Sequence, residues 1–238
     1  MRLFPDLKKR SQEPEWMDDL SHPDAAVALA LKDIRRVNSW LGGHRVSMAG
    51  LKPYLNTDSA PVHILDMGCG DGEFLRHVSN YCKNNGVPVT LTGWDRNPGS
   101  LQRGRQMAGG VEMQLQCRDI VAFPELPKGN LVIVCNLFLH HFTDEQILEM
   151  LQQWRNGGCR AIVVNDLHRN WWAHSLFHLF GVIFMKSKMA RHDGLVSIRR
   201  GFRRRELEKF GNHLGVKAKI HWKWAFRFLW ILDFEENG

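Results

Sequence analysis

The chain has 238 residues, of which 44% are hydrophobic and 24% charged. That is ordinary for a globular protein with a full-size core, and it excludes wholesale disorder, collagen-like repeats and a disulfide scaffold. The formal charge is +7 and nine residues are Trp, which leaves nucleic acid, a membrane surface and a large flat ligand open as partners.

Residues 1 to about 20 are polar and contain proline, so they read as irregular. They lack the apolar run of a secretory leader, so a soluble, cytoplasmic protein is expected. Asp18-Asp19-Leu20 and Ser21-His22-Pro23-Asp24 look like a helix start. Val27, Ala30, Leu31, Ile34, Val37 and Leu41 then recur at steps of three and four, an amphipathic helix over 25–41 stopped by Gly42-Gly43. A second helix is expected over 46–55. Both precede the first strong strand and read as an N-terminal cap.

Strand-like runs follow at 62–67, 89–95, 111–117, 131–136 and 161–166, with helical stretches at 73–84, 98–107 and 144–154. The first, fourth and fifth runs are almost continuously apolar, as expected of parallel strands covered on both faces. The alternation predicts a doubly wound α/β sheet. Beyond it lie a long apolar helix over 171–186, a basic, glycine-containing loop over 187–205, a helix over 204–214, and two strands over 216–224 and 226–232 that form a closing hairpin. Residues 151–238 carry 16 Lys and Arg against 7 Asp and Glu, and 14 of the 24 aromatic residues. The positive charge and the Trp therefore act in the same half. Cys69, Cys82, Cys117, Cys135 and Cys159 form no CxxC pair and are expected to be reduced, buried thiols.

The sharpest motif is Asp66-Met67-Gly68-Cys69-Gly70-Asp71-Gly72-Glu73, at a strand-to-helix junction. Glycines let backbone approach a ligand closely. A dinucleotide fingerprint needs its third glycine at position 73, which is Glu73. Acidic residues on both sides of the loop suit a cationic ligand better than a pyrophosphate. Asp95 ends the second strand, where a carboxylate accepts from ribose hydroxyls or caps the next helix; after the glycine motif the ribose role is favoured. Asp119, after the third strand, reads as an acceptor for an adenine amino group with Ile120 against the ring, or as part of a surface loop. Cys69, Arg96 and Asn136 complete the candidate cofactor set.

The motifs LDMGCGDGEFL, GWDRN, CRDI and VIVCNLFLHHF, over residues 62–166, together resemble class I S-adenosylmethionine-dependent methyltransferases. The resemblance implies a Rossmann-like, seven-stranded sheet of order 3-2-1-4-5-7-6 with strand seven antiparallel, an N-terminal helical cap and a lid insertion after strand five. It also implies S-adenosylmethionine as cofactor and S-adenosylhomocysteine as product. Asp66, Gly68 and Gly70 would then border the methionine part, Asp95 the ribose and Asp119 the adenine. The whole chain is expected to be one domain, with cap 1–58, cofactor core 59–170, lid 171–205 and C-terminal helix and hairpin 206–238.

The acceptor side starts at the end of the fourth strand, where open α/β sheets bind ligands. The segment from His140 to Glu145 is similar to the His-Asp-Trp-x-Asp-Glu stretch of phenol and hydroxy-ketone O-methyltransferases, in which the first His is the general base. His140 matches that position, while His141 replaces the Asp and Phe142 the Trp. A base role and a cofactor-packing role for His140 both stay open. Thr143 or Asp144 reads as a helix cap. The Asp/Asn-Pro-Pro-aromatic motif of nucleic-acid amino methyltransferases is absent from this strand end. Trp172, Leu176, Leu179, Phe180, Ile183 and Phe184 form an apolar stripe for core and pocket, with a membrane-surface helix as the second reading because Lys186 and Lys188 flank it. VVNDLHR and the residues around His192, Asp193, Arg199 and Arg200 resemble quinone- and polyketide-modifying methyltransferases.

These readings predict an enzyme that methylates a small lipophilic acceptor, most simply the hydroxyl of an aromatic or polyketide-type compound. His140 is the catalytic candidate, and His141, Trp172, Phe180, His192 and Arg200 are the acceptor-binding candidates. No metal and no nucleic-acid partner are expected, and peripheral membrane contact stays open. The rival readings are C-methylation of a quinone-type ring, RNA methylation, and a non-catalytic protein that senses the cofactor or sits at a membrane.

Overall fold

The computed structural model describes residues 6–19, 24–56 and 60–235. Seven strands form one sheet in the order β3-β2-β1-β4-β5-β7-β6. They are β1 (Val62–Met67), β2 (Val89–Asp95), β3 (Gln114–Cys117), β4 (Leu131–Asn136), β5 (Ala161–Leu167), β6 (Lys219–Lys223) and β7 (Arg227–Asp233). The first five are parallel, and β7 runs antiparallel to both β5 and β6. The expected Rossmann-like order and the reversed seventh strand are both present.

Period-two alternation divides the core. Leu65, Met67, Ile133 and Cys135 face one side, against α5 (Asp144–Asn156) and α8 (Arg204–His213). Ile64, Val132, Val134 and Val163 face the other, against α2 (Gly43–Leu51), α3 (Glu73–Asn85) and α4 (Pro98–Gln106). With helices on both faces, these strands need no polar side. Asp66 pairs in register with Gly93 and Val134, and Asn136 with Asn165, so the carboxyl ends of the central strands are level. The chain leaves β1 toward β2 and later returns to β4 on the opposite flank. The crevice at that switch point is where ligands bind in such sheets.

Three helices cover this end. α1 (Asp24–Trp40) packs Ala30 and Val37 against Met185, Met189 and Ala190, at the junction of α6 (Trp171–Phe184) and α7 (Lys188–Arg200). Asp33 accepts the N–H groups of Lys186 and Ser187, both at 2.7 Å, and the Ser187 hydroxyl accepts from Ala190 at 3.2 Å. Together they satisfy the orphan donors at the start of α7.

Several elements differ from the sequence reading. The expected loop over 187–205 is mostly α7. Its charge pattern hid a buried face of Met189, Ala190, Asp193, Val196, Ile198 and Arg200, and packing offsets the weak helix propensity of Gly194. The expected helix over 46–55 starts at Gly43 and gives way to a tighter turn at Lys52-Pro53, where proline removes a donor. β3 is shorter than expected, starting at Gln114 and not at residue 111; the chain turns just before it, at Gly109 and Gly110 in the left-handed region. The helix start expected at residues 20–23 lies outside the described residues. Cys117 is exposed, while the other four thiols are buried as expected.

Candidate active site

The loop after β1 is shaped by the sheet beneath it. Gly68 and Cys69 donate to the Trp94 carbonyl at 2.8 and 3.0 Å, which pulls the chain back across β2. Gly68 sits at φ +71, and a Cβ there would lie 2.2 Å from the Phe138 ring, so only glycine fits. Gly70, at φ +57, faces open space. Its N–H donates to Asp95 Oδ2 at 2.8 Å, while Asp95 Oδ1 accepts from Asn97 at 2.8 Å. Each carboxylate oxygen keeps a lone pair for a ligand.

Asp66 lies beneath this loop with 2% of its surface exposed. Burial pushes its carboxyl up to about 8; the Asn136 amide opposes that shift and the Asp95 carboxylate adds to it. Asn136 in turn accepts from the Ser47 hydroxyl. Asp71 is paired with Arg35 and Arg76.

The second half of the site is a buried histidine between two carboxylates. A tight turn over Leu139–His141 follows β4. Asp166, from β5, places Oδ1 2.7 Å from His140 Nδ1, and its Oδ2 accepts the His140 backbone N–H at 3.2 Å. Glu15 Oε1 lies 3.3 Å from Nε2 on the other side of the ring and accepts from the Ser197 hydroxyl at 2.6 Å. Glu15 Oε2 lies 3.9 Å from His141 Nε2. Burial alone would lower the His140 pKa, but Asp166 and Glu15 outweigh it and raise it to about 9. Both carboxyls are held below their ordinary values despite burial, mainly by His140. Arg10 and Arg200 each donate to the His140 carbonyl at 3.1 Å, which fixes the turn from its far side.

A cavity of about 680 Å³ connects the two halves. Asp66, Gly68, Cys69, Gly70 and Asn136 line one end, and Glu15, His140 and His141 the middle. At the other end Phe177, Phe180, Ile183 and Phe184 of α6 enclose an apolar compartment with Leu31 and Ile34 of α1.

Eight of the sequence-derived candidates therefore meet in one cavity: Asp66, Gly68, Cys69, Gly70, Asn136, His140, His141 and Phe180. Asp95 adjoins it through Gly70. Arg96 and Asp119 lie on the exposed rim beyond β2 and β3, where Asp119 accepts from Val121 at 3.1 Å as the cap of a short turn. Ile120 is buried against Trp94 and Leu65. Three acceptor candidates are placed away from the cavity lining. Trp172 is 62% exposed on the outer face of α6, because Ala173 and Gly181 hold the opposite face against the protein. His192 stacks on Trp16 at 4.0 Å. Arg200 is buried behind the His140 turn, donating to backbone carbonyls. Thr143, rather than Asp144, caps α5, in a capping box with Gln146.

Three residues at the site were not singled out from the sequence. Glu15 lies in a stretch that reads as irregular, and Ser197 in what reads as a loop. Asp166 carried a signal, a carboxylate at the end of an apolar strand like Asp66 and Asp95, and it lies within VVNDLHR, but no role was assigned to it.

Residues 64–157 match the family model of a methyltransferase domain. No curated protein matches the sequence. Among solved structures, the plantazolicin methyltransferase BpumL in complex with SAH is 18% identical with a TM-score of 0.67, covering 90% of this chain and 91% of that one. The same methyltransferase with a triazolic desmethylPZN analogue and SAH is 21% identical with a TM-score of 0.64, covering 85% and 76%. The CMeT domain of the citrinin polyketide synthase is 14% identical with a TM-score of 0.55, covering 79% of this chain and 51% of that one. The sheet order and the covering helices described above belong to this shared fold.

Proposed function

We propose that this chain, a class I S-adenosylmethionine-dependent methyltransferase, methylates the hydroxyl of a lipophilic aromatic or polyketide-type acceptor. We read the chain as a single domain whose cap and lid elements enclose the acceptor. The observation that carries the proposal is the continuity of the cavity: an acidic glycine loop at one end, an aromatic compartment at the other, and His140 between them.

The residues present fit the cofactor. Asp66 is a buried carboxyl with a raised pKa facing the cavity, and an ammonium or sulfonium charge beside it would restore its ionisation. The open side of Gly70 leaves room for backbone approach. We assign Asp66, Gly68, Cys69, Gly70 and Asn136 to the amino-acid part, Asp95 and Arg96 to the ribose, and Asp119 with Ile120 to the adenine. S-adenosylmethionine supplies a methyl group already activated for in-line displacement, so the protein mainly aligns the acceptor and excludes water.

His140 handles the acceptor proton. Asp166 fixes the ring through Nδ1, which directs Nε2 toward the cavity and Glu15. With Glu15 beside Nε2 the imidazole is protonated at neutral pH. An acceptor hydroxyl that displaces Glu15 lets that side chain leave with the Nε2 proton as a neutral carboxyl; the ring, now neutral and paired with Asp166 through Nδ1, then accepts the hydroxyl proton at Nε2 as the oxygen takes the methyl group. A second reading has a specific observation in its favour. A cationic His140 stabilises an acceptor that arrives as an enolate or phenolate, and such an acceptor suits C-methylation of a quinone-type ring.

The outer face of α6 supports a lipophilic acceptor. Leu176, Leu179 and Ile183 line the cavity and are nonetheless 48, 59 and 61% exposed, so the mouth of the site is itself apolar. No helix of the described residues is long and apolar enough to cross a membrane, and we read the face as a contact for a membrane surface that carries the acceptor.

The experiment is direct. Purified protein is incubated with S-adenosylmethionine and a panel of naphthols and hydroxyquinones, and S-adenosylhomocysteine is followed by mass spectrometry. Acceptor-dependent release supports the proposal, and the position of the new methyl separates oxygen from carbon. Cofactor binding without release for any ring acceptor would favour a cofactor sensor.

A further inference from the structure

Arg227, the first residue of β7, lines the acceptor cavity with 3% of its surface exposed. Asn38 Oδ1 accepts one of its N–H groups, from Nη2 at 3.1 Å. Nε and Nη1 are buried with no hydrogen-bond partner. Among the described residues no carboxylate lies within ion-pair distance of this guanidinium. The Asp166 carboxylate favours the charge from a distance, but burial outweighs it. A buried cation without a paired counter-charge is costly, and proteins hold one only where something repays the desolvation. The neighbouring carboxylates are already committed: Asp166 to His140 and the Leu167 N–H, and Glu15 to His140 and Ser197.

We propose that Arg227 is the anchor for a carboxylate on the acceptor, so that the physiological acceptor is an aromatic hydroxy acid rather than a neutral phenol. This deepens the reading above and rests on it for the identity of the cavity. Guanidinium groups match carboxylates in geometry and charge, and their hydrogen bonds are among the stronger ones in proteins. The amino-acid end of the cofactor also carries a carboxylate, but position argues against it. The glycine loop leaves β1, and β4 and β5 intervene between β1 and β7. Of the residues assigned to that end, Asn136 is nearest to β7; it ends β4 and is still two strand spacings, roughly 10 Å, from β7 at the level of the sheet. Arg227 instead pairs in register with Leu167, next to Asp166. An acceptor anchored here presents its ring to the aromatic compartment and its hydroxyl toward His140.

The test reads binding, so it does not depend on turnover. Protein loaded with S-adenosylhomocysteine is titrated calorimetrically with 3-hydroxy-2-naphthoate and with 2-naphthol, for the wild type, Arg227→Met and Arg227→Lys. The wild type should bind the hydroxynaphthoate more tightly by ~10–100-fold, the worth of a charge-assisted hydrogen bond. Arg227→Met should abolish that preference while keeping the affinity for naphthol and for S-adenosylhomocysteine, and Arg227→Lys should restore part of it. Equal binding of the two ligands by the wild type overturns the proposal whether or not the variants fold. So does a preference that survives in Arg227→Met. A variant that instead loses S-adenosylhomocysteine affinity assigns the guanidinium to the cofactor and likewise overturns it. Failure of methyl transfer with an intact carboxylate preference would overturn the reaction above and leave the anchor standing.

Discussion

Asp166 Oδ1 lies 2.7 Å from His140 Nδ1, and each side chain is only 2% exposed. The contact joins the ends of β4 and β5 and fixes which ring nitrogen faces the cavity. Asp166→Asn keeps the shape but removes the charge and offers an amide donor in its place. Turnover should fall by at least ~10²-fold, while S-adenosylmethionine affinity measured by calorimetry changes little. Equal losses in both would assign the pair to packing.

The same pair predicts how stability depends on pH. The His140 pKa is raised in the folded protein from 6.5 to about 9. Its contribution is therefore fully present below about pH 6.5 and lost as pH rises through about 9. Glu15 and Asp166 are depressed, so their contributions are present above their ordinary carboxyl range and lost on acidification through their folded values. Urea unfolding at a series of pH values should show wild-type stability declining between about pH 7 and pH 9 relative to His140→Gln, by up to ~3 kcal/mol. Parallel curves for the two proteins would contradict the raised value.

Glu15→Gln removes the carboxylate beside Nε2. The pH at which His140 loses its proton should then fall by ~1 unit or more. If His140 acts as a base, the rising limb of the pH–rate profile moves to lower pH by the same amount. If His140 stabilises an acceptor already ionised, the profile has no such limb in either protein. The profile therefore separates oxygen from carbon methylation without knowledge of the natural acceptor.

How much of this was legible in the sequence follows from where each signal lies along the chain. The strands were readable because covered parallel strands are continuous apolar runs bounded by glycine and asparagine. Asp66, Gly68, Gly70 and Asp95 were readable because their spacing is local. The state of His140 was not, because it depends on Glu15 and Asp166, which lie 125 residues before it and 26 after it. Trp172 failed for a rotational reason. The apolar stripe of α6 spans much of the helix, and only the packing of Ala173 and Gly181 decides which part faces inward. The helix α7 was hidden because its buried face includes Asp193 and Arg200, which are polar yet engaged by backbone groups.

Gly68→Ala should damage both fold and cofactor site. A left-handed backbone costs an L-residue ~1–2 kcal/mol, and the new methyl would meet the Phe138 ring at 2.2 Å. A lowered melting temperature together with weaker S-adenosylmethionine binding is the expected result, read by thermal denaturation with and without cofactor.

Phe180 lines the apolar compartment and packs edge-on against Trp40 at 6.2 Å. Phe180→Ala should raise KM for a ring acceptor by ~10-fold or more, the value of a buried aromatic contact, with cofactor affinity retained. A change confined to cofactor binding would place the acceptor elsewhere.

In the mechanism proposed above, one cavity aligns the cofactor with an acceptor at His140. Single-turnover S-adenosylhomocysteine formation, with saturating S-adenosylmethionine and a hydroxynaphthoate acceptor, tests it most directly in the wild type and His140→Gln. Acceptor-dependent product is expected in the wild type, with a loss of ~10²-fold or more in the variant. Wild-type protein that forms no S-adenosylhomocysteine, or a variant that forms it at the wild-type rate across the pH range, would contradict it.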